Sequence, residues 1–331
     1  MPRLTTVAAV SGAAALGLVA ASLVGAAYAR RRTPRAEQRN PPVGRFVDVE
    51  GGGLHYLQRG SGPDVVLIHG AAVTLNDMAA GPMDALAADH RVTAFDRPGH
   101  GYSDGQLERG SAFDQAETIR EGVRALGLER PVLVGQSLGG AVALAYGALF
   151  PDEIAGVVAV APLAYPGWGV GHVGPAMHAA PGVGAVLSNS LFALADPAMM
   201  HLATKAIFAP QKPTERFLAE FPTELVGRPA SMRADGADLI RTSAALERLS
   251  RSYASYPAPV HVMVGGKDKV LKPARQGLKL ARELKDARLT EMPELGHMLH
   301  HFAIAELVSA VEEVRARGGG RATSEEPRLA A

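Results

Sequence analysis

The chain has 331 residues, an apolar fraction of 47% and a formal net charge of +1, enough apolar material for one large core and no general attraction to nucleic acid. It contains no cysteine, which excludes a disulfide framework, a thiol nucleophile and cysteine-ligated zinc.

At the amino terminus, Leu4 to Ala29 carries no charged residue and is mostly Ala, Val, Leu and Gly. That exceeds the roughly 20 residues needed to cross a bilayer. Arg30-Arg31-Arg32 and Arg35 follow, against Arg3 alone before it, so the charge bias predicts a single-pass cell-membrane anchor with the body on the cytoplasmic side. The alternative is a signal peptide cut after Ala27-Tyr28-Ala29 and a secreted product. Residues 30–44 read as a linker, aperiodic from Thr33 to Gly44.

Two short strands, Arg45–Val49 and Leu54–Gln58, follow around the hairpin signal Gly51-Gly52-Gly53. Then come a strand over Val65–His69, a helix near Asn76–Ala88, a strand over Val92–Phe95 and a helix near Phe113–Leu126. Strands alternating with helices predict the α/β class, with a mostly parallel, doubly wound sheet. The apolar strand Val132-Leu133-Val134 then breaks into Gly135-Gln136-Ser137-Leu138-Gly139, followed by the apolar helix from Ala141. A serine hydroxyl is a weak nucleophile, and a strand, a sharp Gly-x-Ser-x-Gly turn and a helix are what expose it and aim free N–H groups beside it. Ser137 is the candidate nucleophile, and the amide of Leu138, at the helix entrance, is a candidate donor to a developing oxyanion.

Between Val160 and Val260 lies an insertion, about residues 162–257. From Pro162 to Pro213 its only charged residues are Asp196, Lys205 and Lys212, so apolar residues such as Met200, Ile207 and Phe208 are expected to build a small core, some of them also lining a ligand site. Gly and Pro around Trp168 suggest a mobile entrance. After the strand Val260–Val264 comes Gly265-Gly266-Lys267-Asp268, and after another short strand Leu295-Gly296-His297. Asp268 reads either as a catalytic carboxylate or as a helix cap near Pro273 paired with Lys267 or Lys269. The last helix, about Ala303–Ala316, puts Leu307, Val311 and Val314 on one face, and Gly318-Gly319-Gly320 reads as its end, with a disordered tail over 318–331. No histidine pair shows ligand spacing beside a carboxylate, so no metal site is read, and nothing points to a cofactor.

Five motifs in order, Ile68-His69-Gly70, Asp96-Arg97-Pro98-Gly99-His100-Gly101-Tyr102-Ser103, the Ser137 turn, Gly265 to Asp268 and Gly296-His297, make the chain resemble the α/β-hydrolase superfamily from about Phe46 to Arg317. The resemblance implies a hydrolase domain over 45–317 with a helical cap in the insertion. It further implies Ser137 as nucleophile, His297 as general base and acid, and Asp268 as the carboxylate that orients the imidazole. By the same resemblance Ala71 supplies the second oxyanion-hole amide, with Ala72 as the alternative, and His69 and His100 shape nearby loops. His300 and His301 fall outside the pattern and read as structural. Serine at the elbow argues against the epoxide hydrolases and dehalogenases of the superfamily, which use aspartate there. The implied activity is hydrolysis of a small or medium-sized apolar ester through an acyl-enzyme, with a small-molecule acyl substrate as partner. The alternatives are a carbon–carbon bond hydrolase, amidase or acyltransferase on the same triad, or a ligand sensor without turnover.

Overall fold

The computed structural model describes residues 23–105, 107–167, 177 and 191–322, with side chains omitted at 107, 191–199 and 320–322. Eight strands form one sheet: β1 (Arg45–Val49), β2 (Gly52–Arg59), β3 (Asp64–Ile68), β4 (Arg91–Phe95), β5 (Val132–Gln136), β6 (Gly156–Val160), β7 (Val260–Gly265) and β8 (Ala287–Met292). Their spatial order is β1-β2-β4-β3-β5-β6-β7-β8. The β1–β2 and β2–β4 pairs are antiparallel, while every pair from β4–β3 to β7–β8 is parallel.

The helices are α1 (residues 23–39), α2 (Leu75–Ala80), α3 (Met83–Leu86), α4 (Ala112–Ala125), α5 (Leu138–Leu149), α6 (Leu191–Phe208), α7 (Glu215–Glu220), α8 (Thr223–Val226), α9 (Pro229–Ser250), α10 (Gly277–Glu283) and α11 (Ile304–Ala322). Strand alternation divides the core in two. Val66, Ile68 and Leu133 face one layer, covered by Ile119 of α4, Val142 of α5 and Leu280 of α10. Val65, Leu67 and Val134 face the other, covered by Met78 of α2, Leu86 of α3 and Val311 of α11. A sheet buried on both faces explains why β3, β5 and β6 are apolar at almost every position rather than alternating.

Three expectations are corrected. The aperiodic stretch after Thr33 is not a linker throughout, because α1 runs through the arginines to residue 39. It stays helical by docking: Ala29 and Ala36 are buried, Arg228 pairs with Glu37 at 2.8 Å, and Arg39 pairs with Glu224 at 2.9 Å. The helix expected near Asn76–Ala88 is two short ones, separated at Gly81-Pro82 because proline lacks the N–H to continue it. The last helix does not stop at Gly318 but continues to Ala322, so the expected tail is helical at its start. A Cβ at Gly318 would come within 2.1 Å of the Ala155 carbonyl oxygen, so that glycine permits close packing rather than ending the helix. The predicted membrane span is not tested by the described residues, among which no helix is long and apolar enough to cross a membrane. Most of the predicted span Leu4–Ala29, the surroundings of Trp168 and the end of the tail lie outside the described residues.

Between β6 and β7 the chain leaves the sheet to form the cap helices α6–α9. Their own core holds Met200, Phe208, Phe217, Phe221 and Val226, with Val73 and Met298 from the body packed into it.

Candidate active site

Ser137, Asp268 and His297 follow the carboxyl ends of β5, β7 and β8, the end of a parallel sheet where ligands bind. The strand order reverses between β3 and β5, which leaves a crevice between the loop after β3 and the turn after β5. Ala71 sits in the first and Ser137 in the second.

Ser137 has φ 53°, a conformation that favours glycine, and three hydrogen bonds hold it there. Its N–H donates to Val160 O at 2.9 Å, and its carbonyl accepts from Gly140 at 3.0 Å and Leu163 at 2.9 Å. The flanking glycines are needed for space. A Cβ at Gly135 would lie 2.2 Å from Gly139 O, and one at Gly139 would lie 2.2 Å from Ile68 O.

His297 Nδ1 donates to Asp268 Oδ2 at 2.7 Å, with the two side chains only 5% and 4% exposed. The other carboxylate oxygen accepts from the amides of Val270 and Leu271 at 2.8 and 2.9 Å. Asp268 therefore turns its own loop rather than capping a helix, and Lys267 pairs with Glu294 instead. Backbone contact brings the two loops together: Lys267 N–H donates to Leu295 O at 2.9 Å, and Gly265 packs against Gly296 O so closely that its Cβ would lie 2.3 Å away. The cap locks the histidine loop from above, where Gln211 Oε1 accepts from Gly296 N–H at 2.9 Å.

Ser137 and His297 line one cavity of about 200 Å³, together with Ala71, Leu138 and apolar residues of body and cap such as Leu239 and Ile207. Among the described residues no hydrogen bond joins Ser137 to His297, a contact that in unliganded enzymes often tightens only with substrate. Of the two alanines considered for the oxyanion hole, Ala72 is engaged elsewhere: its N–H donates to Asp235 Oδ1 at 2.9 Å. Ala71 and Leu138 both line the cavity beside Ser137.

Beneath the Ala71 loop lies a buried polar network joining the body to cap helix α9. His69 Nε2 accepts from Arg97 N–H at 2.9 Å, and its Nδ1 donates to Gly70 O at 2.8 Å. Burial, together with the nearby Arg97 charge, holds the His69 pKa well below its ordinary value and keeps the ring neutral. The fully buried Arg97 donates to Gly70 O at 3.0 Å, to Gln115 Oε1 at 2.8 Å and to Asp238. His100 Nε2 donates to Asp235 Oδ1 at 2.9 Å. Burial alone would raise the Asp235 pKa, but His100, Arg97 and the Ala72 amide outweigh it and hold the carboxyl below its usual range.

His300 and His301 are buried and donate through Nε2 to the two oxygens of Asp77, at 3.0 and 2.8 Å. Burial would raise the Asp77 pKa, yet the two imidazoles pull it far below the usual carboxylate range. The three groups offer ligand atoms within 4.8 Å of one another, a cluster that sequence spacing hides because Asp77 is more than 200 residues away. Sequence reasoning also passed over Gln136, which reaches His297 O at 3.4 Å, as well as Gln211, Asp235 and Asp238. Gln136 alone carried a signal, as the variable residue inside Gly-x-Ser.

The α/β hydrolase fold family model matches residues 63–303, and the chain belongs to that family. It is 30% identical over 270 residues to the dihydrolipoyllysine-residue acetyltransferase component of the acetoin cleaving system of Pseudomonas putida, across 80% of this chain and 67% of that protein. It is 26% identical to haloalkane dehalogenase 2 of Mycobacterium tuberculosis, across 82% of this chain and 95% of that one. Among solved structures it resembles a membrane phospholipase A described as a bacterial virulence factor, at 20% identity and a TM-score of 0.61, covering 98% of this chain and all of that one.

Proposed function

We propose that this chain is a serine hydrolase that cleaves small or medium-sized apolar esters through an acyl-enzyme. The observation that carries the reading is the His297–Asp268 hydrogen bond at the edge of an apolar cavity that also holds the strained Ser137. With Nδ1–H committed to Asp268, the lone pair of Nε2 is the one free to take a proton. In the proposed reaction Nε2 removes the Ser137 hydroxyl proton as Oγ attacks the ester carbonyl. The negative oxygen is received by the N–H groups of Ala71 and Leu138, and the imidazolium then returns the proton to the leaving alcohol. Water, activated by the same imidazole, attacks the acyl-enzyme, and collapse of the second tetrahedral intermediate frees the acid and Ser137. A fluorophosphonate probe should label Ser137, and Ser137→Ala should abolish labelling and lower turnover by about a million-fold. Labelling retained in that variant would overturn the assignment.

Transfer of the acyl group to a thiol instead of water is the second reading, favoured by the likeness to an acetyltransferase component. Adding dihydrolipoamide to the ester assay separates them: thioester product supports transfer, and free acid alone supports hydrolysis.

We further propose that the apolar segment Leu4–Ala29 tethers the body to the inner leaflet, helped by the arginines that follow it. Cleavage after Ala29 would cut through α1 at a residue buried against the body, which favours retention. Carbonate-resistant membrane association with protease protection in intact cells is the expected result, and a soluble product beginning at Arg30 overturns it.

A further inference from the structure

The catalytic cavity carries one polar group that the proposed reaction does not use. Its lining is apolar apart from Gln136, Ser137, His297 and Asp235. Gln136 braces the histidine loop and the next two serve the proposed chemistry, which leaves a carboxylate on cap helix α9 in a site otherwise suited to hydrocarbon. Asp235 is 2% exposed, and its two oxygens differ. Oδ1 accepts from Ala72 N–H and from His100 Nε2, each at 2.9 Å, whereas Oδ2 is fully buried with no hydrogen-bond partner in the structure. Leaving a buried acceptor bare is costly, the more so when it is charged, so such a group on a cavity-lining residue calls for a donor.

We infer that Asp235 Oδ2 accepts a hydrogen bond from the substrate, so that the preferred ester carries a hydroxyl or ammonium group within an otherwise apolar acyl or alcohol chain. This rests on the serine hydrolase reading and narrows its substrate class. Recognition of this kind is steep because an analogue that fills the cavity without donating leaves the carboxylate unpaired. Asp235 is thus a specificity residue on the cap, and through Ala72 it also positions the loop that bears the Ala71 amide.

The test compares kcat/KM for near-isosteric p-nitrophenyl esters of 3-hydroxybutanoate, 3-ammoniobutanoate and 3-methylbutanoate, and for 2-hydroxyethyl against propyl butanoate. One donor-bearing ester is expected to exceed its alkyl counterpart by about tenfold to a hundredfold. The acyl pair against the alcohol pair tells which side faces the cap, and hydroxyl against ammonium tells which donor is taken. In Asp235→Asn, where an NH2 replaces one carboxylate oxygen, the preference should collapse to about one or reverse, whatever happens to the absolute rate. In Asp238→Asn, which alters the same network outside the cavity, the preference should survive. Wild-type ratios near one for both pairs overturn the inference, even if Asp235→Asn fails to fold. So does a preference that Asp235→Asn leaves intact. Fluorophosphonate labelling of Ser137 separates the two levels: labelling with ratios near one removes only the role of Asp235, whereas no labelling and no ester turnover remove the hydrolase reading and this inference with it.

Discussion

At the scale of single residues the site is a division of labour among hydrogen bonds. Asp268 uses both oxygens, one for the imidazole and one for the Val270 and Leu271 amides, so Asp268→Asn should preserve much of the loop yet present an NH2 or a poorer acceptor to His297. The expected loss in kcat is on the order of ten-thousand-fold with the melting temperature little changed. Steady-state kinetics beside a thermal melt checks this, and near wild-type activity would mean that another carboxylate orients the base. His300 and His301 belong to a different account, since their bonds end on Asp77. His301→Ala should cost about 1.5–3 kcal/mol of stability, the range for a hydrogen bond to a charged group, while the folded fraction keeps most of its turnover. Urea unfolding combined with active-site titration separates stability from rate.

At the scale of elements, glycines decide how closely chain segments approach. Gly135 and Gly139 let the elbow fold onto itself and onto the end of β3, and Gly296 lets the histidine loop touch the cap chain at Ala209. The end of α11 offers a clean contrast. A Cβ at Gly318 would meet the Ala155 carbonyl oxygen at 2.1 Å, whereas one at Gly319 would meet nothing within 4 Å. Gly318→Ala should therefore destabilise by about 1–3 kcal/mol through overpacking. Gly319→Ala should stabilise by about 0.5–1 kcal/mol through helix propensity. Equal effects in denaturant titrations would contradict the docking of this helix end.

At the scale of the whole molecule, stability depends on buried groups held in one protonation state. Burial, the first cause in each case, lowers the pKa of His69, His261 and His300 below the ordinary 6.5. Below pH 6.5 the unfolded chain therefore takes up protons that the native rings refuse, and the native state loses ground as pH falls toward their lowered values. Asp77 adds a further loss in the acid range, because its native pKa lies below the unfolded 3.8, while Asp238, raised by burial, runs the opposite way there. The melting temperature should fall between pH 7.5 and pH 5.5, and His300→Gln should flatten that slope. A rise over this interval would contradict the assignment of neutral buried imidazoles.

Local pattern was sufficient for much of this protein. Apolar runs bounded by turn residues marked β3, β4, β5 and β7 within two residues, because a strand buried on both faces is apolar whatever its neighbours are. Gly-x-Ser-x-Gly, Gly-Gly-Lys-Asp and Gly-His were legible as motifs because the tight turns they need restrict which residues fit. What local pattern could not supply was pairing at a distance. α1 is helical beyond Thr33 because Glu37 and Arg39 find Arg228 and Glu224 on the cap, nearly 200 residues away. Ala72 N–H is occupied by Asp235 on α9, and Gly318 is needed where the last helix packs directly against the Ala155 carbonyl. Sequence by itself determined the elements and the motifs that build the candidate site, since these rest on periodicity and turn sterics within a few residues. Only the tertiary structure decided which amide stays free and which carboxylate faces the cavity, because hydrogen-bond partners are chosen by proximity in space.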